Sequence, residues 1–181
     1  MALNFPDSPS TNDTYTVNNT TWTYNGTVWK VKNNMKKVAR FTSSGTWTVP
    51  SGVTYAVAHI RGGGGACNDG TTTGSAGGSS SVAFAGGTVT ANGGAGACIE
   101  FGSTRYDAVN GTANSGQGGR GAGFFSNPSY TSSPSAQDGA LIVAGDTVTP
   151  AASITVTVGA GGTASNGADG GSGYVWIEYQ D

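Results

Sequence analysis

Residues 53–65 read VTYAVAHIRGGGG, a strand-like run that passes directly into four consecutive glycines. Glycine loses more backbone entropy on ordering than any other residue, so the chain must recover that cost elsewhere. The arrangement recurs. Further glycine pairs or glycine-rich runs stand at 86–87, 93–94, 118–119, 159–162 (GAGG) and 170–171, most of them at the end of a β-branched stretch. Lacking a Cβ, such segments can approach one another closely and take either sign of φ. They can form packed polyproline-II-like segments, or tight loops bonded through the main chain, and the sequence leaves both open. Loops of this kind also change in sequence without disturbing a scaffold, which is useful at a binding tip.

Thirty-two of the 181 residues are glycine, and only 10% are charged. Leucine occurs only at Leu3 and Leu141. Helix-forming stripes are therefore missing, and Thr, Val, Ser, Tyr and Trp fill the ordered-looking stretches, as suits strands. Four Trp, seven Tyr and six Phe need burial, which argues against disorder throughout. Glycine does not recur at every third position, which excludes collagen. The expected fold class is all-β: a small N-terminal β-meander followed by a glycine-rich, jelly-roll-like β-sandwich.

The meander occupies residues 1–33. In YTVNNTTWTYNGTVWKV, strands are expected at Tyr15–Val17, Thr21–Tyr24 and Val28–Val31, with Asn25-Gly26 in a tight hairpin turn. Trp22 and Tyr24 share one face of their strand, and Trp29 and Val31 one face of the next. About thirty residues cannot bury enough surface to stand alone, so the module needs a partner surface or copies of itself. FPDSP ahead of it reads as an extended docking arm. Residues 34–40 read as a basic linker, since Lys36, Lys37 and Arg40 fall there, with Lys30 and Lys32 just before. Such a run is usually solvated; the sharper reading is contact with an acidic neighbour. Residues 41–181 form the sandwich. Ile154, Val156 and Val158 alternate with threonines, as in a strand with one wet face. In the closing strand Tyr174, Trp176 and Glu178 face one way, and Val175, Ile177 and Tyr179 the other.

The net charge of −2 gives no electrostatic case for nucleic acid. The opening Met-Ala-Leu-Asn-Phe-Pro has neither a basic start nor an apolar run, so no export signal is expected there. No stretch approaches ~18 apolar residues, so membrane insertion is not expected. Cys67 and Cys98 sit in matching settings, GGGGAC and GGAGAC. They can pair, but reduced small-residue filler is the favoured reading. The single histidine, His59, lies within a strand, with no nucleophile or orienting acid placed beside it. No spaced carboxylate pair, zinc ligand set or phosphate loop is visible, so no enzyme activity, cofactor or metal is expected. The most ligand-like stretch is 103–137, which carries Tyr106, Arg120, Phe124, Phe125 and Tyr130. Aromatics on a low-charge loop suit stacking on sugars or docking into a protein groove. Phe124 and Phe125 equally suit plugging the sandwich core or a trimer interface.

FTSSGTWTVPSGVTYAVAHIRGGGG, VTPAASITVTVGAGG and the closing GADGGSGYVWIEY together resemble the glycine-rich domain of bacteriophage tail fibres and related virion proteins, over residues 40–181. ALNFPDSPSTNDTYTVNNTTWTYNGTVWKV is similar to a short module, FP-x-SP followed by W-x-YNGT-x-W, at the start of structural proteins of phages of cyanobacteria and marine bacteria. The resemblance implies a virion protein, assembled in the host cytoplasm and located in the phage tail as a fibre that mediates host attachment. It implies that residues 1–33 attach to other virion proteins (tail, baseplate or adaptor), with Phe5, Trp22, Tyr24 and Trp29 as the attachment residues. It further implies a homotrimer whose distal domain meets a host cell-surface glycan or protein. The chain lacks a long shaft and coiled-coil heptads, so a stubby fibre or tip fits best. The alternative is a capsid decoration or cement protein that stabilises the phage head.

Overall fold

The computed structural model describes residues 4–18, 20–32, 36–69, 73–99, 111, 113–118, 136–165 and 167–180. Among them are fourteen strands and no helix. β1 (Thr14–Val17), β2 (Thr20–Tyr24) and β3 (Trp29–Val31) form the antiparallel N-terminal meander in that order. Its second turn is wider than the two-residue hairpin that Asn25-Gly26 suggests. Register places Tyr24 opposite Trp29, and the Asn25 side-chain oxygen accepts the Thr27 and Val28 N–H groups, with Gly26 at φ +95°.

The longer strands are β4 (Lys37–Phe41), β5 (Gly45–Thr48), β6 (Tyr55–Arg61), β8 (Ser80–Phe84), β9 (Gly87–Ala91), β11 (Leu141–Thr147), β12 (Ser153–Thr157) and β14 (Tyr174–Tyr179). They make two four-stranded sheets, β11-β6-β14-β4 and β5-β12-β8-β9. Counted one to eight in chain order, these strands run 6-3-8-1 in one sheet and 2-7-4-5 in the other, which is the jelly-roll order. Alternation drives the packing. Ala56, Ala58 and Ile60 of β6 and Val175 and Ile177 of β14 face Trp47, Val82, Phe84, Ile154 and Val156 of the second sheet, and all are buried. The Tyr179 ring lies 5.4 Å from that of Trp47.

Residues 34–40 are not simply a linker, because Lys37–Phe41 is edge strand β4, paired along its length with β14. Charge on this strand has a physical reason. An edge strand needs solvated side chains to discourage pairing with other chains, and Lys37 and Arg40 are both exposed.

Apart from Gly86-Gly87 at the β8–β9 hairpin, the described glycine runs are packed segments. The connections β6–β8, β9–β11 and β12–β14 each pass out from the sandwich and back through glycine-rich stretches. The first contributes residues 62–66 and 73–79, the second 92–96, 115–118 and 136–140, and the third 159–163 and 169–173. Hydrogen bonds along the first stretch follow a period of three. The N–H groups of Gly62 and Gly65 donate to Ala140 and Gln137, those of Gly63 and Ala66 to Gly78 and Ser75, and that of Gly64 to Gly171. A β-ladder would alternate between two sides; a threefold extended helix turns to three. The Cα positions face three other segments, because a Cβ on Gly62, Gly63 or Gly64 would overlap the carbonyl of Asn92, Ala160 or Gln117 respectively. Residues 62–66 are thus the axis of a bundle with six neighbours.

The six close into a ring. Gly77 donates to Gly94, Gln137 to Ala95, Gly139 to Gly116, Gly171 to Gln117, Gly170 to Gly162, and Gly78 to Ala160. Side chains fasten the ring to the sandwich. The buried Ser80 hydroxyl donates to Arg61 O at 2.6 Å and accepts the Gly159 N–H at 2.9 Å. Asp138 accepts from the Arg61 guanidinium at 3.0 Å and from the Gly118 N–H at 2.7 Å. At the far end, β7 (Cys67–Asp69), β10 (Ala97–Ile99) and β13 (Gly167–Ala168) form a small sheet in the order β10-β7-β13, one strand from each connection.

Candidate functional site

The end of the bundle farthest from the sandwich is the first candidate. Arg61 begins the axial segment at the sandwich and Cys67 ends it in the far sheet. Gly65 and Ala66 are therefore distal, as is Gln137, which accepts from Gly65. Gly118 and Ala136 are buried against one another at this level. The second connection leaves the described residues at Gly118 and re-enters at Ala136, so both anchor points of 119–135 lie at the tip. The stretch 100–110 likewise follows β10 of the far sheet. Tyr106, Arg120, Phe124, Phe125 and Tyr130 all lie outside the described residues.

The second candidate is the N-terminal module, where the structure brings Phe5, Trp22, Tyr24 and Trp29 into one cluster. The arm folds back. The Phe5 ring stacks on Trp29 at 5.2 Å and 12°, and meets Trp22 and Tyr15 edge-on at 5.2 and 5.5 Å. Tyr24 lies 5.5 Å from Trp29. FPDSP was expected to extend away; instead Phe5 covers its own meander, because three strands alone leave these rings wet. All five rings are half-buried. Val28 and Val31 beside them are about half exposed, at 49% and 51%.

The outer face of the β11-β6-β14-β4 sheet is the third candidate. His59 lies here, its Nε2 3.5 Å from Glu178, with its ring 5.1 Å from that of Trp176. Glu178 also accepts from Lys36 at 3.0 Å. The Lys36 hydrogen bond holds the Glu178 carboxyl below the usual glutamate range. Partial burial opposes this, and the charges of Lys36 and His59 reinforce it. The histidine thus has a structural partner in Glu178. On the same face Tyr174 stacks against Trp176, and register sets Arg40 opposite Trp176. Sequence reasoning put Tyr174 and Trp176 on one face but did not bring Arg40 to them, because that needs the β4–β14 pairing. Toward β11, Leu141 and Val143 are exposed, as is Tyr55, whose ring lies over Gly145.

Among the described residues, no three His, Cys, Asp or Glu side chains gather as a metal site would require. Asp138, directly before Gly139, bonds across segments to Gly118 and Arg61, and Asp169, directly before Gly170, accepts the Ala164 N–H at 2.7 Å. No protein-family profile, curated protein or solved structure matches the chain.

Proposed function

We propose that this chain is a non-enzymatic virion protein of the phage tail-fibre kind. Residues 1–33 attach it to another virion component, and its glycine bundle presents the segments 100–110 and 119–135 to a host cell surface. The observation that carries the reading is the anchoring of 119–135 at Gly118 and Ala136, on the far end of a bundle locked by main-chain hydrogen bonds. A rigid scaffold beneath a loop is how binding residues are held while their sequence changes. The reading includes a homotrimer. Leu141, Val143 and Tyr55 offer the exposed apolar strip such an assembly would cover. Sedimentation as a stable folded monomer at micromolar concentration would overturn the trimer.

Electron cryo-microscopy of the intact parent particle tests the role. Density at the tail periphery, three copies per appendage, supports a fibre. Density on a regular lattice over the head makes the chain a decoration protein instead, a role the jelly-roll fold serves equally well. Within the fibre reading, replacing Tyr106, Arg120 and Tyr130 together by Ala abolishes cell binding; unchanged binding rejects those residues as the contact.

A further inference from the structure

We propose that the cleft where β14 meets edge strand β4 binds a saccharide carrying an anionic group. It lies on the flank of the sandwich, away from the tip, and stands whether or not the chain attaches a phage to its host. Arg40, Phe41, Thr42, Asn114, Tyr174 and Trp176 line it, and its volume is about 410 Å³, within the range of small-ligand sites.

The floor is aromatic. The Tyr174 and Trp176 rings are 5.2 Å apart and only 23° from parallel. His59 braces Trp176 from the neighbouring strand, and the indole Nε1 is closed to solvent without an acceptor, so packing alone fixes that ring. A fixed aromatic surface suits the C–H face of a pyranose, which is apolar over one side and ringed by hydroxyls. The wall opposite is fixed as well. The Asn114 N–H donates to Ser172 Oγ at 3.0 Å, and that hydroxyl donates back to Asn114 Oδ1 at 3.2 Å.

The polar groups around this floor are uncommitted. Among the described residues, the Arg40 guanidinium, the hydroxyls of Thr42 and Tyr174, and the amide Nδ2 of Asn114 have no hydrogen-bond or ionic partner. Among the described residues, the nearby carboxylates are already engaged: Glu178 by Lys36 and His59, and Asp138 by Arg61. The unneutralised charge at the cleft is thus the Arg40 cation. A guanidinium pairs with a carboxylate or sulfate through parallel hydrogen bonds, while the remaining donors and acceptors fit sugar hydroxyls. Jelly-roll domains include lectins, so the scaffold is compatible with the ligand.

The test is an array of immobilised saccharides bearing uronic acids, sialic acids, sulfates or only neutral sugars, probed with the full chain, followed by titration calorimetry on the bound members. Binding is expected only to the anionic members. Arg40→Gln is expected to weaken it about tenfold or more, and Tyr174→Ala to weaken it comparably. Arg40 is exposed on an edge strand, so Arg40→Gln keeps the fold, and its melting temperature verifies this. Arg40→Gln and Tyr174→Ala both lie on the flank, on β4 and β14, so a loss in these variants assigns the binding to this cleft. Absence of binding to every member overturns the proposal. So do equal binding of neutral and anionic members, and affinity indifferent to both Arg40→Gln and Tyr174→Ala.

Discussion

Two residues separate the two ways this protein is held together. Ile60 ends the buried row of β6 in a core of Val, Ile, Phe and Trp; Gly62 opens an axis that contacts only backbone. In the sandwich, side chains decide which strand lies where, and burial of apolar area, about 25 cal/mol per Å², supplies the driving force. In the bundle almost no carbon beyond Cα is buried, and each main-chain hydrogen bond contributes only about 0.5–1.5 kcal/mol net. Ordering a glycine costs at least as much, about 1–2 kcal/mol for backbone alone. The bundle therefore cannot be an independent unit. It forms because the sandwich already fixes the ends of its three connections, which removes much of the entropy of bringing them together. A core specified by side chains tolerates repacking, whereas one specified by backbone tolerates no Cβ at Gly62 to Gly65.

The strongest attempt to break this comparison is Gly63→Ala. Its methyl would occupy the position of the Ala160 carbonyl, with backbone on every side and no flexible chain to yield. Loss of the bundle is expected, seen as rapid hydrogen exchange at the Gly64, Gly65, Gly77 and Gly94 amides, while β6 and β14 stay protected. Two controls sharpen it. Ile177→Ala, which empties part of the buried core, should cost about 2–5 kcal/mol and lower the melting of the whole domain. Gly52→Ala meets nothing within 4 Å and suffers only its φ of +84°, at about 1–2 kcal/mol. If Gly63→Ala behaves like Gly52→Ala, the close-packed axis is wrong.

Ser80→Ala tests the joint between the two regions. The hydroxyl serves both the Arg61 carbonyl and the Gly159 N–H in a buried position. Removing it leaves the Gly159 donor unsatisfied, at about 1–3 kcal/mol. Ser80→Thr keeps the hydroxyl and should recover part of that. The loss should appear as faster exchange at Gly159 and Gly173 before any change in β11. Equal stability of Ser80→Ala and the native chain would show that the sandwich and bundle are joined elsewhere.

These distinctions track how much could be read from the residues. The sandwich was legible because its signal lies in side chains: Ile154 and Val156 alternating with threonine, and Val175 and Ile177 alternating with Tyr174 and Trp176, give the buried faces directly. The bundle was legible only as a pair of alternatives. Every glycine carries the same N–H and C=O, so nothing in GGGG says that Gly63 seeks Gly78 while Gly64 seeks Gly171. Lys37–Arg40 was hidden by its own charges. The Arg40–Tyr174–Trp176 cleft was hidden by distance, since its parts are brought together only by the pairing of the first and last strands of the sandwich. The packing of the FPDSP arm was not legible because proline-containing arms usually extend, and nothing local reports that Trp29 needs covering.

Phe5→Ala sets the N-terminal module against both other regions. Phe5 touches three rings, and aromatic pairs contribute about 0.5–1.5 kcal/mol each beyond the area they bury. A three-stranded meander has little else. The expected result is a red-shifted tryptophan emission and proteolysis confined to residues before 33, with the main melting transition unmoved. A lowered main transition would mean that the meander contributes to the stability of the sandwich.

The smallest effect belongs to the ion pair on the sandwich flank, and its sign is fixed by chemistry. The hydrogen bond from Lys36, helped by the charges of Lys36 and His59 and opposed by partial burial, depresses the folded pKa of Glu178. A depressed carboxyl stabilises the fold above its unfolded pKa, and that contribution is lost as pH falls through the folded value. Lys36 is 70% exposed, so solvent and salt screen most of the attraction. Lys36→Met should therefore move the Glu178 carboxyl titration, followed by NMR, upward toward the ordinary glutamate range. Its effect on melting should be slight above the glutamate range and vanish below it. Because the pair lies outside the bundle, exchange at Gly63 to Gly65 should not respond at any pH. If it does respond, charge on the flank is coupled to the glycine axis, and the division between a side-chain core and a backbone core is less complete than the hydrogen bonds imply.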